Sequence, residues 1–106
     1  MLSEVPISWS SMNHGDTFVL DSGSLIFVWR GNKSSGAEGL AGAKLAARLR
    51  NKIGEQIVTL GDGEETEMTE TELKTWEQFL PLAEKHQVQN PHVTDLPILL
   101  MGDVIY

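Results

Sequence analysis

The residues that decide the fold run from Met12 to Glu38: Met12-Asn-His-Gly-Asp-Thr-Phe-Val-Leu-Asp21, Ser-Gly-Ser, Leu25-Ile-Phe-Val-Trp-Arg-Gly31 and Asn-Lys-Ser-Ser-Gly-Ala-Glu38. Two apolar segments, Phe18–Leu20 and Leu25–Trp29, flank a short polar link that contains glycine. This pattern predicts a β-hairpin. The second segment is apolar throughout rather than alternating, which is typical of a strand buried on both faces. We therefore expect a central hairpin with a covering layer on each side.

The same stretch carries a family pattern. Asn13-x-Gly-Asp-x-Phe-Val-Leu-Asp21 is followed by Ile26-x-Val-Trp-x-Gly31, and Glu4-Val-Pro-Ile-Ser-Trp9 lies just upstream. Together these segments resemble the repeat unit of the gelsolin family, which includes the severin, fragmin and villin actin regulators. The resemblance covers residues 4–61 well and residues 62–86 loosely. It implies a single gelsolin-like repeat.

Composition restricts the classes of protein to consider. The 106 residues include eight basic and fifteen acidic residues, no cysteine, and a formal charge of −7. One small domain fits this length, and disulfides are excluded. The acidic balance argues against nucleic-acid binding. No apolar segment approaches the roughly 20 residues of a membrane span, and no signal-peptide pattern is present. We expect no transmembrane segment, and the resemblance to the gelsolin family implies a cytoplasmic, cytoskeletal location.

The remaining elements follow from capping and periodicity. Ser35 and Glu38 form a capping box that predicts a long helix over residues 36–52. Residues 56–60 read as a strand, residues 61–72 as a solvated acidic loop, and Thr69-x-x-Glu72 as the start of a shorter helix. The predicted fold is an α/β (α+β) sandwich, in which a mixed sheet of about five strands lies between the long and the short helix. Trp29 and Trp76 should be core residues.

The two ends of the chain pose a question about the sheet. Val5, Ile7 and Trp9 alternate and predict a short edge strand interrupted by Pro6. A family repeat normally has another strand before this point. We assign residues 1–88 to the gelsolin-like domain and residues 89–106 to a C-terminal tail. The apolar end of that tail could supply the missing strand or pair with another molecule.

Calcium is the cofactor that the resemblance implies. Relatives bind Ca²⁺ through the Gly carbonyl and Asp carboxylate of the Gly-Asp pair and a Glu in the first turn of the long helix, here Gly15, Asp16 and Glu38. A further ligand usually comes from a C-terminal segment, for which Asp95 is the candidate. Two simpler interpretations remain open. Glu38 could serve only in the capping box, and Asp16 could be only a turn residue.

Actin is the partner that the resemblance implies, since relatives place the long helix in the cleft of an actin monomer. The candidate contact residues are Leu40, Ala43, Lys44, Ala47 and Arg48, provided that Ala41, Leu45 and Leu49 face the sheet. The opposite assignment of helix faces stays open, as does an interface on the acidic loop and hairpin edge. The glycines inside this helix indicate either close packing on the sheet or a partner surface.

Two further interpretations concern function. The basic residues Lys44, Arg48, Arg50 and Lys52 could contact phosphoinositides or form a solvated helix face. No helical metalloprotease motif or Gly-x-Ser-x-Gly elbow occurs, so we predict that the chain is not an enzyme. The functions implied are calcium-modulated actin binding, by monomer sequestering, filament capping or severing, or a structural gelsolin-like module without calcium or actin binding, as in vesicle-coat proteins.

Overall fold

The hairpin forms at the predicted position in a computed structural model, which describes residues 2–50, 55–90 and 98–101. Strand β2 (Thr17–Asp21) pairs antiparallel with β3 (Leu25–Arg30). The turn between them places Gly23 at a φ of 94°, a left-handed conformation that glycine adopts without strain. The Asp21 carboxylate accepts a hydrogen bond from the Gly23 amide at 2.8 Å, which closes the turn.

Within the described residues, five strands form one mixed sheet in the order β1-β5-β2-β3-β4. The other strands and the two α-helices are β1 (Leu2–Val5), α1 (Gly36–Leu49), β4 (Gln56–Gly61), α2 (Glu70–Phe79) and β5 (Ile98–Met101). Short 3₁₀ helices cover Trp9–Ser11, Glu65–Glu67 and Leu82–Gln87. The predicted α+β class is confirmed.

Alternate residues of the hairpin point to opposite faces of the sheet, and both faces are buried. Val19, Ile26 and Val28 belong to a cluster with α1, whereas Phe27 and Trp29 belong to a cluster on the other face. Residues 26–29 of β3 each have 0% exposure. The predicted burial of this strand on both faces is therefore confirmed.

Helix α1 begins as predicted but ends earlier. The Ser35 hydroxyl accepts from the Glu38 amide and the Glu38 carboxylate accepts from the Ser35 amide, both at 3.1 Å. The helix ends at Leu49, the last of its residues buried against the sheet, and exposed Arg50 has an extended backbone. The predicted extension to residue 52 is wrong at Arg50, and residues 51–54 lie outside the described part of the chain.

Close packing accounts for the glycines of α1. A Cβ atom at Gly42 would lie 2.7 Å from Cγ2 of Thr17 and 3.3 Å from Cγ1 of Val28. At Gly39 it would lie 2.4 Å from Nε of Arg30. The helix backbone therefore rests directly on β2 and β3. Of the two interpretations of these glycines, packing on the sheet is confirmed.

Three tryptophans build the opposite layer. Trp9 lies against Trp29 and Trp76, with ring centroids 6.2 and 5.8 Å apart in edge-to-face geometry. Trp76 comes from α2 and is fully buried, as predicted, as is Trp29. The prediction that Trp9 lies in a strand is wrong, because a 3₁₀ turn directs its indole N–H to the Pro81 carbonyl at 2.7 Å.

Residues 98–101 of the predicted C-terminal tail take part in the same sheet. Strand β5 lies between β1 and β2 and is parallel to both. β1 is an edge strand, as expected, but it ends at Val5, so the predicted strand through Pro6 and Ile7 is wrong beyond that residue. The chain also attaches earlier, because Gln89 exchanges backbone hydrogen bonds with Met12 and His14 at 3.0 and 3.1 Å. The division into residues 1–88 and 89–106 stays a prediction.

We predict that Trp29→Ala lowers the free energy of unfolding by about 3–5 kcal/mol, because it removes the ring that joins Trp9 and Phe18 in the core. The total free energy of unfolding of a small domain is only about 5–15 kcal/mol. Urea unfolding followed by circular dichroism measures the change. Trp29→Phe keeps part of the packing, so its free energy of unfolding should lie between those of the parent and Trp29→Ala. A Trp29→Ala midpoint equal to the parent's would contradict this role.

Candidate functional site

The Gly15-Asp16 pair is held by the side chain of Asn13. The Asn13 side-chain carbonyl accepts from the Gly15 amide at 2.8 Å, and its side-chain NH₂ donates to Asp16 Oδ2 at 2.8 Å. Asn13 and Asp16 are only 5% and 3% exposed. An Asn that bonds to the backbone two residues ahead is a common turn device. Here it fixes both the backbone and the carboxylate of the pair.

Two backbone hydrogen bonds join this loop to the segment that enters α1. The Gly31 amide donates to the Asp16 carbonyl at 3.0 Å, and the Lys33 amide donates to the His14 carbonyl at 2.8 Å. Gly31 is required for this approach, because a Cβ atom there would lie 2.4 Å from the His14 carbonyl oxygen. This close approach explains why the Trp-x-Gly motif ends in glycine.

Three of the four predicted calcium ligands lie in the described part of the chain. Gly15 and Asp16 lie in the loop, and Glu38 lies in the first turn of α1, where its carboxylate occupies the capping box. Asp95 lies outside the described residues. Within the described ranges, no group of three or more His, Cys, Asp or Glu side chains is arranged to hold a metal ion. The ligand assignment stays a prediction.

A polar network that sequence reasoning missed lies beside the same loop. Lys85 Nζ is 2.9 Å from Asp62 Oδ1 and 2.8 Å from Glu65 Oε2. Asp62 Oδ2 contacts Nδ1 of His14, and Glu65 accepts from the indole N–H of Trp29 at 2.9 Å. The Asp62 and Glu65 side chains are only 3% and 5% exposed. The prediction of a solvated acidic loop is therefore wrong at these two positions.

The charges of this network are mutually stabilised. Burial alone would raise the pKa of the Asp62 carboxyl group, but hydrogen bonds from Lys85, His14 and the Asn32 amide outweigh it. The pKa of Asp62 therefore lies below its ordinary value of 3.8. Burial alone would lower the pKa of Lys85, but the carboxylates of Glu65 and Asp62 hold that pKa above its ordinary value of 10.5.

The outer face of α1 is the second part of the site. Leu45 and Leu49 are buried on the sheet with Ala46, and Ala41 packs at the edge of that cluster. Leu40 is 59% exposed and is the exposed large apolar side chain within the described ranges. The predicted actin-contact residues all share this exposed surface, which we call the outer face of α1: Leu40, Ala43, Lys44, Ala47 and Arg48.

A family model described as the gelsolin repeat matches residues 1–70. The chain belongs to the gelsolin family. The match covers the capped start of α1 and the hairpin, and it extends into the acidic segment that contributes Asp62 and Glu65. In the part of the chain that the structure describes, no helix has the length and apolar content needed to cross a membrane.

Individual relatives match shorter parts of the chain. It is 47% identical to chicken (Gallus gallus) gelsolin over 49 residues, which is 46% of this chain and 6% of that protein. It is 41% identical to mouse (Mus musculus) macrophage-capping protein over 66 residues, 59% of this chain and 19% of the relative. It is 41% identical to pig (Sus scrofa) scinderin over 49 residues, which is 46% of this chain and 39% of that protein. The matches thus span from 6% to 39% of the relatives' lengths.

We predict that the stabilisation from Asp62 is lost in acid. Its lowered pKa means that the contribution is complete above pH 3.8 and disappears as the pH falls through the lower folded value. On the alkaline side, the raised pKa of Lys85 preserves its contribution below pH 10.5 and removes it as the pH rises through the higher folded value. Urea unfolding at a series of pH values should show Asp62→Asn less stable than the parent near neutrality.

The stability gap between the two proteins should close as the pH falls below about 3.8, the ordinary pKa of the group. Glu67→Gln is the matched control, because Glu67 lies in the same acidic segment but is exposed. It should change stability little at any pH. A gap for Asp62→Asn that persists unchanged in acid would contradict the assigned charge state.

Proposed function

We propose that this chain is an actin-binding gelsolin repeat whose binding is modulated by calcium. Membership of the family supports the actin part, and the conclusion depends above all on one observation, the exposure of Leu40 on the outer face of α1. Binding of an actin monomer by this repeat is the step that sequestering, capping and severing would share. The proposal assigns no enzymatic reaction to the chain, and it implies a cytoplasmic, cytoskeletal setting.

The outer face of α1 has the chemistry of a helix that enters a groove. Leu40, Ala43 and Ala47 follow the three- and four-residue spacing of apolar anchors in such complexes. Small side chains at two of these positions allow a partner to approach the helix closely. Lys44 and Arg48 flank the apolar row and are exposed. They could pair with acidic groups of actin, and phosphoinositides would compete for the same two cations.

The loop and the helix start supply donors suited to calcium. The Gly15 carbonyl and the Asp16 and Glu38 carboxylates are oxygen ligands, as Ca²⁺ prefers, but they fall short of the six to eight that it takes. Water, Asp95 or the partner protein would complete the set. When bound, calcium would neutralise two carboxylates and join the loop to the first turn of α1. The two backbone bonds that join the loop to the segment entering α1 support that role.

One observation favours the alternative of a structural module without calcium. Glu38 already has a role in the capping box, which a carboxylate or an amide fills equally well. This double role also makes the two functions separable by experiment. Replacement by glutamine preserves the cap and removes the charge that calcium needs.

We predict that the parent binds Ca²⁺ with a Kd between about micromolar and millimolar, and that Glu38→Gln and Asp16→Asn each weaken binding strongly. Isothermal titration calorimetry with CaCl₂ measures the Kd, and melting in EGTA checks that each variant is folded. Glu72→Gln, the same change in the capping box of α2, is the matched control and should bind as the parent does. If Glu38→Gln also binds unchanged, Glu38 acts only as a cap.

We predict that Leu40→Asp raises the Kd for monomeric actin at least about 30-fold, because central apolar anchors cost about 2 kcal/mol or more when lost. Pyrene-actin polymerisation and monomer binding with and without Ca²⁺ provide the measurement. The melting temperature should stay within a few degrees of the parent's, since Leu40 is exposed. A folded Leu40→Asp protein with unchanged actin affinity would move the interface off α1.

A matched pair separates the outer face of α1 from a general effect of added charge. Ala47→Asp places a carboxylate on that face, whereas Ala83→Asp places it at an exposed position of the 3₁₀ helix Leu82–Gln87. This helix packs with the tryptophan layer on the other side of the sheet. Only Ala47→Asp should weaken actin binding. Equal loss in both variants would indicate long-range repulsion rather than contact at α1.

A further inference from the structure

The loop that carries Gly15 and Asp16 and the segment that enters α1 meet at one carboxylate oxygen. Asp62 Oδ2 contacts Nδ1 of His14, the residue that precedes the Gly15-Asp16 pair. The same oxygen accepts from the Asn32 amide at 3.2 Å, in the segment that leads to Ser35 and α1. A single side chain from β4's end therefore touches both segments.

Asp62 is itself held in place by the sheet and by Lys85. Its amide donates to the Arg30 carbonyl at 2.9 Å, which continues the pairing of β3 and β4. Its second carboxylate oxygen, Oδ1, is 2.9 Å from Lys85 Nζ. The side chain is 3% exposed. The contacts to His14 and Asn32 thus start from a fixed point.

The geometry makes direct coordination of calcium by Asp62 unfavourable. Oδ1 is bound to the Lys85 ammonium group, and Oδ2 already has two partners. A divalent cation at Oδ1 would lie next to the positive charge of Lys85, which Coulomb repulsion opposes. The contribution of Asp62 to the site must therefore pass through its neighbours.

We propose that Asp62 is a positioning residue of the calcium site, one that fixes the loop and the entry to α1 on the end of β4. This inference rests on the proposed calcium binding. The backbone bonds from Gly31 and Lys33 set the spacing between the two segments. Asp62 adds a side-chain contact that ties both segments to the sheet. Loss of such supporting contacts around a metal typically weakens its binding about 10- to 100-fold.

Glu65 provides the control for a purely structural role. It shares the Lys85 ammonium group with Asp62 and is equally buried, at 5% side-chain exposure. Its other contacts are the Trp29 indole and the Gly63 amide, neither of which belongs to the Gly15-Asp16 loop or to the segment that enters α1. Glu65→Gln should therefore disturb the same charge network while leaving the loop and the α1 entry attached to Asp62.

The experiment is calorimetric titration of the full chain with CaCl₂, for the parent, Asp62→Asn, Glu65→Gln and His14→Ala, with melting in EGTA alongside. We expect Asp62→Asn to raise the Kd about 10- to 100-fold, His14→Ala to raise it less, and Glu65→Gln to stay close to the parent although its melting temperature falls. His14→Ala removes one of the two contacts without leaving a buried charge unpaired. If Asp62→Asn does not fold, the Kd of His14→Ala tests the positioning role instead.

Each contrary result has a separate meaning. A folded Asp62→Asn protein with the parent's Kd overturns the positioning role and leaves the calcium site standing. Equal weakening in Asp62→Asn and Glu65→Gln also overturns it, because the effect would then come from general loss of the network. Unchanged affinity in His14→Ala overturns it where Asp62→Asn is unfolded. A parent that binds no calcium overturns the proposed site itself, and this inference with it.

Discussion

Burial of β3 on both faces is the constraint on which the rest of the structure depends. A strand of consecutive apolar side chains cannot face water on either side, so each face requires a layer of its own. Val28 needs α1, and Trp29 needs the tryptophan layer. The two covering layers differ in how they pack. Small residues of α1 bring the helix backbone close to one face of the sheet, whereas large aromatic rings pack edge to face on the other.

The same constraint determines which side of α1 is exposed. Because Gly42 lies directly on Thr17 and Val28, the helix cannot rotate without forcing a larger side chain into the sheet. Leu45 and Leu49 then face inward, and Leu40 faces outward. The exposed apolar residue is thus a consequence of how the glycines seat the helix. Close packing on one side of α1 and a partner surface on the other are compatible.

Sequence patterns predicted those elements whose structure is determined by residues close together in the chain. The hairpin, both capping boxes and the burial of Trp29 and Trp76 depend on neighbours in sequence or on hydrophobicity alone. The turn at Trp9 and the end of α1 at Leu49 depend on which partner surface is available, and alternation or helix propensity cannot show that. The place of β5 between β1 and β2 likewise depends on tertiary pairing. For the candidate site, the motif pointed to Gly15, Asp16 and Glu38, whose role as ligands stays a prediction. It did not indicate Asp62 and Lys85, which are separated by 23 residues and linked by no periodic pattern.

The polar network at the end of β4 makes directional contacts that an apolar cluster could not make. A buried ion pair recovers little net free energy, since desolvation of both partners opposes their attraction. Apolar residues at positions 62 and 85 could not accept from the Asn32 amide or bind His14. A charged oxygen can make both contacts at once, and its direction is fixed by Lys85. Directional bonds are what the proposed calcium ligands in the neighbouring loop would require, because ligand positions must be held more precisely than apolar packing alone holds them.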